Sequence, residues 1–127
     1  MTAIERAYKR ISFLRYSLTL DRGRSSETRT FNALVWVLEN RLADEYTITA
    51  GDRDGGIDFI LRIGTKKYKF DVKSSKTTAR SEVRRHPMRH RHGDILFIIP
   101  KNDDTNETLG LRILDTVANF EEQMHQG

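Results

Sequence analysis

Residues 57–73 read IDFILRIGTKKYKFDVK, and this stretch decides the fold. Its alternation of apolar and polar residues predicts two β-strands, over 57–63 and 66–73, joined by a two-residue turn at Gly64-Thr65. One face of the hairpin would be apolar, with Ile57, Phe59, Leu61, Ile63, Tyr68, Phe70 and Val72. The opposite face would carry Asp58, Arg62, Lys67, Lys69, Asp71 and Lys73. We therefore expect one face to lie in the core and the other either to carry an active site or to face solvent.

The turn also determines which side chains oppose each other. Counting back from Gly64-Thr65 sets Asp58 opposite Asp71, with β-carbons about 5 Å apart. Like charges at that distance are destabilising, and a cation such as Mg²⁺ would offset the repulsion while binding phosphate oxygens. Lys73, on the same face, could stabilise an attacked phosphate or orient the attacking water. The alternative is an ordinary solvated strand face that mixes lysines with carboxylates.

Further elements are predicted on both sides of the hairpin. Before it, the patterns predict helices over 3–18 and about 27–44 and a strand over 46–50. After it, they predict a helix over about 78–85, strands over 94–100 and 109–114, and a final helix capped by Asp115. Glu27 falls on the apolar side of the second helix. It either serves a site or simply sits favourably in the first turn of that helix.

The chain of 127 residues fits one domain, because no Pro/Gly/Ser-rich linker divides it. We predict a single domain over 1–127, with a helical extension over 1–22 and the core over 24–127. The chain has no cysteine, which excludes thiol catalysis and cysteine-ligated zinc. Charged residues interrupt the apolar ones near the N-terminus, so we expect neither a signal peptide nor a membrane span. The expected location is intracellular and cytoplasmic.

Basic residues are concentrated in one segment. Lysine and arginine number 22 against 18 acidic residues, and ten of them lie between Lys66 and Arg91, with only Asp71 and Glu82 as acids. This imbalance favours a polyanionic partner, with a solvated surface as the alternative. The residues predicted to contact nucleic acid are Arg24, Lys67, Lys69, Lys76, Arg80, Arg84, Arg85, Arg89 and Arg91.

Three histidines, His86, His90 and His92, raise the question of zinc, because the first two have helical i, i+4 spacing. Pro87 disrupts the helix that this spacing needs, and no glutamate accompanies the pair as in metalloproteases. Histidines among arginines more often contact phosphate or solvent. The sequence therefore favours a site without histidine ligands.

In these features the chain resembles the PD-(D/E)xK nuclease superfamily, which has the restriction-endonuclease-like fold. The hallmark looks present as Ile57-Asp58 followed by Asp71-Val72-Lys73, with Glu27 in the position of the acid on the first core helix. Within the superfamily the chain is similar to archaeal Holliday-junction resolvases over roughly residues 24–100. Ile57 replaces the usual proline, Asp71 replaces the glutamate usual in resolvases, and the N-terminal helix is an addition.

The resemblance implies an α/β fold with an αβββαβ core, in which helices flank a central mixed sheet, and an extra N-terminal helix. It implies a Mg²⁺- or Mn²⁺-dependent DNA endonuclease, a homodimer without membrane association that cuts branched DNA such as Holliday junctions in recombination and repair. The implied catalytic residues are Glu27, Asp58, Asp71 and Lys73, the first three as metal ligands. The alternatives are an inactive nucleic-acid-binding or assembly module of the same fold and a restriction-type nuclease acting on duplex DNA.

Overall fold

The computed structural model describes residues 3–4 and 25–126. The elements follow in the order α1 (Ser25–Glu39), β1 (Glu45–Gly51), a 3₁₀ turn (Asp52–Asp54), β2 (Ile57–Ile63), β3 (Lys66–Val72), α2 (Lys76–Arg85), β4 (Ile95–Ile98) and α3 (Asn106–Gln126). The helix predicted over 3–18 lies outside the described residues apart from Ala3 and Ile4, and so does Arg24. No helix within the described ranges is both long enough and apolar enough to cross a membrane.

The four strands form one mixed sheet in the order β1-β2-β3-β4. The β1–β2 and β2–β3 pairs are antiparallel, and the β3–β4 pair is parallel. Parallel neighbours need a crossover connection, which α2 provides. In the β2–β3 hairpin Ile63 pairs with Lys66 and Phe59 with Phe70, which confirms the predicted register. Over residues 25–126 the fold is thus α/β, with three helices flanking a mixed sheet.

The apolar face of the hairpin lies in the core. Phe59 and Phe70 are completely buried and stack with ring centroids 4.7 Å apart. Helices α1 and α3 cover this face, and their buried residues in the core include Leu34, Val37, Leu109, Ile113 and Val117. The two helices approach closely at Gly110, where an added Cβ would lie 2.7 Å from Cε3 of Trp36. Helix α2 and the loop that follows it pack on the opposite face of the sheet, which carries the polar side chains.

The strand predicted over 109–114 is wrong, because α3 runs without interruption from Asn106 to Gln126. Its start is a reciprocal cap in which the Thr105 and Thr108 hydroxyl oxygens each accept a hydrogen bond from the other residue's backbone N–H. The buried residues Leu109, Ile113 and Val117 recur at every fourth position, which is a helical period. Asp115 consequently lies inside the helix and does not cap it.

The remaining boundaries differ modestly from those predicted. Helix α1 ends at Glu39, five residues earlier than expected, and the chain turns at Arg41 with φ of 57°. Helix α2 begins at Lys76, two residues earlier than expected, because the Ser75 hydroxyl oxygen caps it by accepting a hydrogen bond from the Thr78 N–H. These changes leave the predicted order of elements through β4 intact.

Candidate functional site

A cleft of about 470 Å³ lies at the end of the hairpin away from its turn. Its lining includes Glu27 from α1, Asp58 from β2, Asp71 at the end of β3 and Lys73 just beyond it. All four residues predicted to be catalytic therefore line the same cleft, although they come from separate parts of the chain. Helix α2 adds Glu82, which was not predicted to belong to the site.

Asp58 is held in place by the backbone of the neighbouring strand. The paired residues of β2 and β3 end at Phe59 and Phe70, and beyond them Oδ2 of Asp58 accepts a hydrogen bond of 2.8 Å from the Val72 N–H. On the other side, a Cβ on Gly51 would lie 3.2 Å from Oδ1 of Asp58, and Gly51 has φ of 62°. A glycine at this position allows the backbone of β1 to pass close to the carboxylate.

Asp71 is a buried acid with one unsatisfied oxygen. Its residue is 2% exposed, Oδ1 lies 3.4 Å from Nζ of Lys73, and Oδ2 receives no hydrogen bond from the described residues. Burial is the largest cause that raises the pKa of Asp71, to about 8. The contact with the Asp58 carboxyl raises it further, whereas Lys73 lowers it. Two carboxyls form a hydrogen bond only when one is protonated. When both are ionised, a cation can satisfy Oδ2 instead.

Lys73 is anchored between two buried acids. Its Nζ lies 3.4 Å from Oδ1 of Asp71 and 3.9 Å from Oε1 of Glu82. Its backbone N–H donates a hydrogen bond of 3.0 Å to the carbonyl of Ile98, so the strand end is also held by β4. The ammonium group is therefore directed into the cleft by contacts on both its backbone and its side chain.

Glu82 is the main functional candidate that sequence reasoning missed. It is 2% exposed, and its Oε1 lies 3.4 Å from Nη1 of Arg89 as well as near Lys73. Its Oε2 lies 3.0 Å from Nε2 of His90. One signal could have found it: Glu82 is the single acid in the otherwise basic helix α2, one turn from the buried Ala79.

His90 completes a buried group with two of the acids. Its side chain is only 6% exposed, and its ring stacks on Phe97 with centroids 5.3 Å apart. Ligand atoms of Asp71, Glu82 and His90 all lie within 4.8 Å of one another, so this group could hold a metal ion. The sequence had favoured a site without histidine ligands, whereas the fold places this imidazole beside Glu82 and away from solvent.

The residues of the cleft suit a divalent cation. Five carboxylates line it, against two positive charges, and a third, Arg89, contacts Glu82. The acids are Glu27, Asp52, Asp58, Asp71 and Glu82, and the basic residues are Arg53 and Lys73. Hard dications prefer carboxylate oxygens, and an imidazole suits first-row transition metals. The unsatisfied Oδ2 of Asp71 is the observation that a bound cation would explain.

The predicted nucleic-acid contacts occupy different surroundings. Lys67 and Lys69 are exposed on the face of β3 that carries Asp71, and Nζ of Lys69 lies 3.5 Å from Asp94. Lys76, Arg80 and Arg84 form an exposed stripe on α2, on the side opposite Glu82. Arg85 and Arg91 are also exposed.

Arg89 differs from the other predicted contacts. Its side chain is 23% exposed and lies close to the acids, with Nη1 3.4 Å from Glu82 and 3.2 Å from Asp52. The same guanidinium group lies close to Gly56, where an added Cβ would be 3.0 Å from Nη1. Arg89 thus bridges α2 and the β1–β2 connection through two acids that line the cleft.

No family model, curated protein or solved structure matches this chain. The resemblance to the PD-(D/E)xK superfamily accordingly stays a prediction from sequence motifs. What the protein does has to be inferred from the chemistry of the cleft.

Proposed function

We propose that this protein is a metal-dependent DNA endonuclease of the PD-(D/E)xK type that uses Mg²⁺ or Mn²⁺. The observation that carries the proposal is the meeting of Glu27, Asp58, Asp71 and Lys73 in one cleft, where a buried Asp71 oxygen has no donor within the described part of the chain. The order αβββαβ through β4 agrees with the core that the superfamily resemblance implies. The same fold without this acid and lysine arrangement would give no reason to propose hydrolysis.

The residues of the proposed site divide into ligands for the cation and a lysine that contacts the phosphate. Asp58 and Asp71 would hold the cation, with Glu27 contributing from α1. When bound, the cation supplies a Lewis acid for the phosphate and makes a bound water easier to deprotonate. Lys73 donates hydrogen bonds to the attacked phosphate and stabilises the charge that develops there. Because Asp58 is fixed by the Val72 N–H and Lys73 by Asp71, these groups need little reorganisation before reaction.

The exposed basic residues supply affinity for the DNA backbone. Lys67 and Lys69 extend from the cleft along β3, and the α2 stripe adds Lys76, Arg80 and Arg84. Phosphate contacts of this kind give salt-sensitive binding with little sequence discrimination. A small chain with such contacts suits recognition of DNA shape, and we propose branched DNA, including four-way junctions, as the substrate class. Paired cuts across a junction require a two-fold dimer.

A cleavage assay tests the proposal. The protein is incubated with four-way-junction, linear duplex and single-stranded DNA, with Mg²⁺, Mn²⁺ or EDTA. We expect metal-dependent cleavage that is fastest on the junction, and its loss in Asp71→Asn with binding retained. Asp103→Asn, which changes an exposed acid outside the cleft lining, is the matched control and should cleave normally.

Two other outcomes of the cleavage assay would contradict different parts of the proposal. Binding without cleavage in either metal contradicts the proposed activity and indicates the inactive nucleic-acid-binding module. Faster cutting of linear duplex than of junctions keeps the chemistry but rejects the substrate class in favour of a restriction-type enzyme.

A further inference from the structure

We infer that His90 is a metal ligand, and that His90, Asp71 and Glu82 make the centre select a first-row transition dication such as Mn²⁺ over Mg²⁺. The inference rests on the metal centre of the proposed function and deepens it. It adds a nitrogen ligand and a second-helix carboxylate to the acids predicted from the hairpin.

The spacing of the three side chains suits ligands of one ion. Nε2 of His90 lies 3.0 Å from Oε2 of Glu82. Two adjacent ligands of an octahedral ion, each about 2.1 Å from the metal, lie about 3.0 Å apart, and opposite ligands lie about 4.2 Å apart. The ligand atoms of Asp71, Glu82 and His90 lie within 4.8 Å of one another, so small side-chain rotations would gather all three around one cation.

The distribution of charge points to the same position. Oε1 of Glu82 already faces Arg89 at 3.4 Å and Lys73 at 3.9 Å, while Oε2 faces His90. The buried Oδ2 of Asp71, by contrast, has no donor among the described residues. A cation bound by the imidazole and both acids would place positive charge between Glu82 and Asp71.

The imidazole is held in a fixed orientation before any ligand arrives. It stacks on Phe97 with an interplanar angle of 26°, and Phe97 pairs with Asp71 in the β3–β4 ladder. The imidazole therefore packs on β4 at the position that pairs with Asp71 of β3. Imidazole nitrogen suits transition metals, whereas Mg²⁺ prefers oxygen ligands and retains water. A preorganised nitrogen ligand therefore favours a first-row transition dication, such as Mn²⁺, over Mg²⁺.

Pulsed electron paramagnetic resonance of the Mn²⁺-loaded full chain tests the inference. We expect the nitrogen nucleus of a coordinated imidazole to modulate the electron spin echo of Mn²⁺. This nitrogen modulation should disappear in His90→Gln and persist in His92→Gln, the exposed control two residues away. We also expect His90→Gln to lower the preference for Mn²⁺ over Mg²⁺ in competition binding by about tenfold. If His90→Gln does not fold, wild-type protein labelled with heavy-nitrogen histidine should show the isotope-shifted modulation.

Failure of this inference is distinguishable from failure of the proposed function. Mn²⁺ binding without nitrogen modulation, or modulation that survives in His90→Gln, overturns the role of His90 but leaves an oxygen-ligated nuclease centre. Absence of Mn²⁺ binding overturns the inference as well. The nuclease proposal fails separately, through the absence of metal-dependent DNA cleavage.

Discussion

The Asp58 side chain on β2 accepts a hydrogen bond from the Val72 N–H on β3, across 2.8 Å. The contact replaces a backbone bond where the strand ladder ends, and it brings one predicted metal ligand beside Asp71. The Asp58 carboxylate is thus both the acceptor for the Val72 N–H and a proposed metal ligand. Substitutions at Asp58 can separate the two roles.

Asp58→Asn should unfold at nearly the denaturant concentration of the wild type, because the amide oxygen can still accept from Val72. Asp58→Ala leaves that buried N–H unpaired and should be less stable than Asp58→Asn by about 1–3 kcal/mol. Both variants should lose metal-dependent cleavage. Urea unfolding of the two variants measures the difference, and equal stabilities would show that the hydrogen bond contributes little.

The raised pKa of Asp71 predicts a pH-dependent stability in metal-free protein. Its folded pKa of about 8 lies above the ordinary value of 3.8, so the folded state binds the proton more tightly than the unfolded state. The contribution of Asp71 to the free energy of unfolding is therefore complete below about pH 4. It is lost progressively as the pH rises towards and through 8. Asp71→Asn should flatten this decline. Urea unfolding in EDTA at several pH values, with Asp103→Asn as the control, checks it, and a parallel decline in Asp71→Asn contradicts it.

Lys73→Met should reduce cleavage by about a hundredfold or more, because it removes the donor proposed to stabilise the attacked phosphate. Lys73 also lowers the pKa of Asp71, so in this variant the loss of stability should move to higher pH. Single-turnover cleavage and pH-dependent unfolding measure the two effects. Lys66→Met, at the start of β3 and outside the cleft lining, is the matched control for cleavage. An unchanged cleavage rate in Lys73→Met would remove this lysine from the proposed chemistry.

The exposed arginines of α2 should contribute to affinity without contributing to chemistry. Replacing Arg80 and Arg84 together by alanine should weaken DNA binding. It should also reduce the slope of log binding constant against log salt concentration by the amount that about two phosphate contacts contribute. The cleavage rate at saturating DNA should stay unchanged, because both residues lie outside the cleft lining. Binding titrations over a range of salt concentrations measure the slope. Arg41→Gln, an exposed arginine outside the predicted contacts, should leave it unaltered.

Gly110→Ala should destabilise the packing of α1 against α3. The added methyl would lie 2.7 Å from Cε3 of Trp36 and 2.9 Å from Cγ2 of Val37. Overpacking of this kind costs about 1–3 kcal/mol, which exceeds the gain of up to about 1 kcal/mol from the better helix propensity of alanine. Thermal or urea unfolding measures the net loss. Asn119→Ala, at an exposed position of the same helix, should not be destabilising, and a stabilised Gly110→Ala would contradict the close packing.

The sequence by itself determined the β2–β3 hairpin, its register and the face that carries Asp58, Asp71 and Lys73. Side chains alternate along a strand, and a two-residue turn pairs residues that are close in the chain, so local rules were sufficient. Helical spacing likewise identified α1 with Glu27. The same local rules failed for 109–114, where six residues suited a strand. The helix is shown by the cap at Thr105, by the packing against α1 and by the spacing of buried residues beyond this segment, as far as Val117.

Only the tertiary structure decided that Glu82 lines the cleft and that Arg89 and His90 contact Glu82. They lie on the crossover between parallel strands, whose position depends on how α2 and its following loop pack on the sheet, and no short-range spacing encodes that packing. The buried Glu82 needs positive and hydrogen-bonding partners, and Lys73, Arg89 and His90 are within reach only after the chain has folded. The carboxylate pair could thus be predicted from one hairpin, whereas its surroundings depend on long-range packing and the pairing of buried charge.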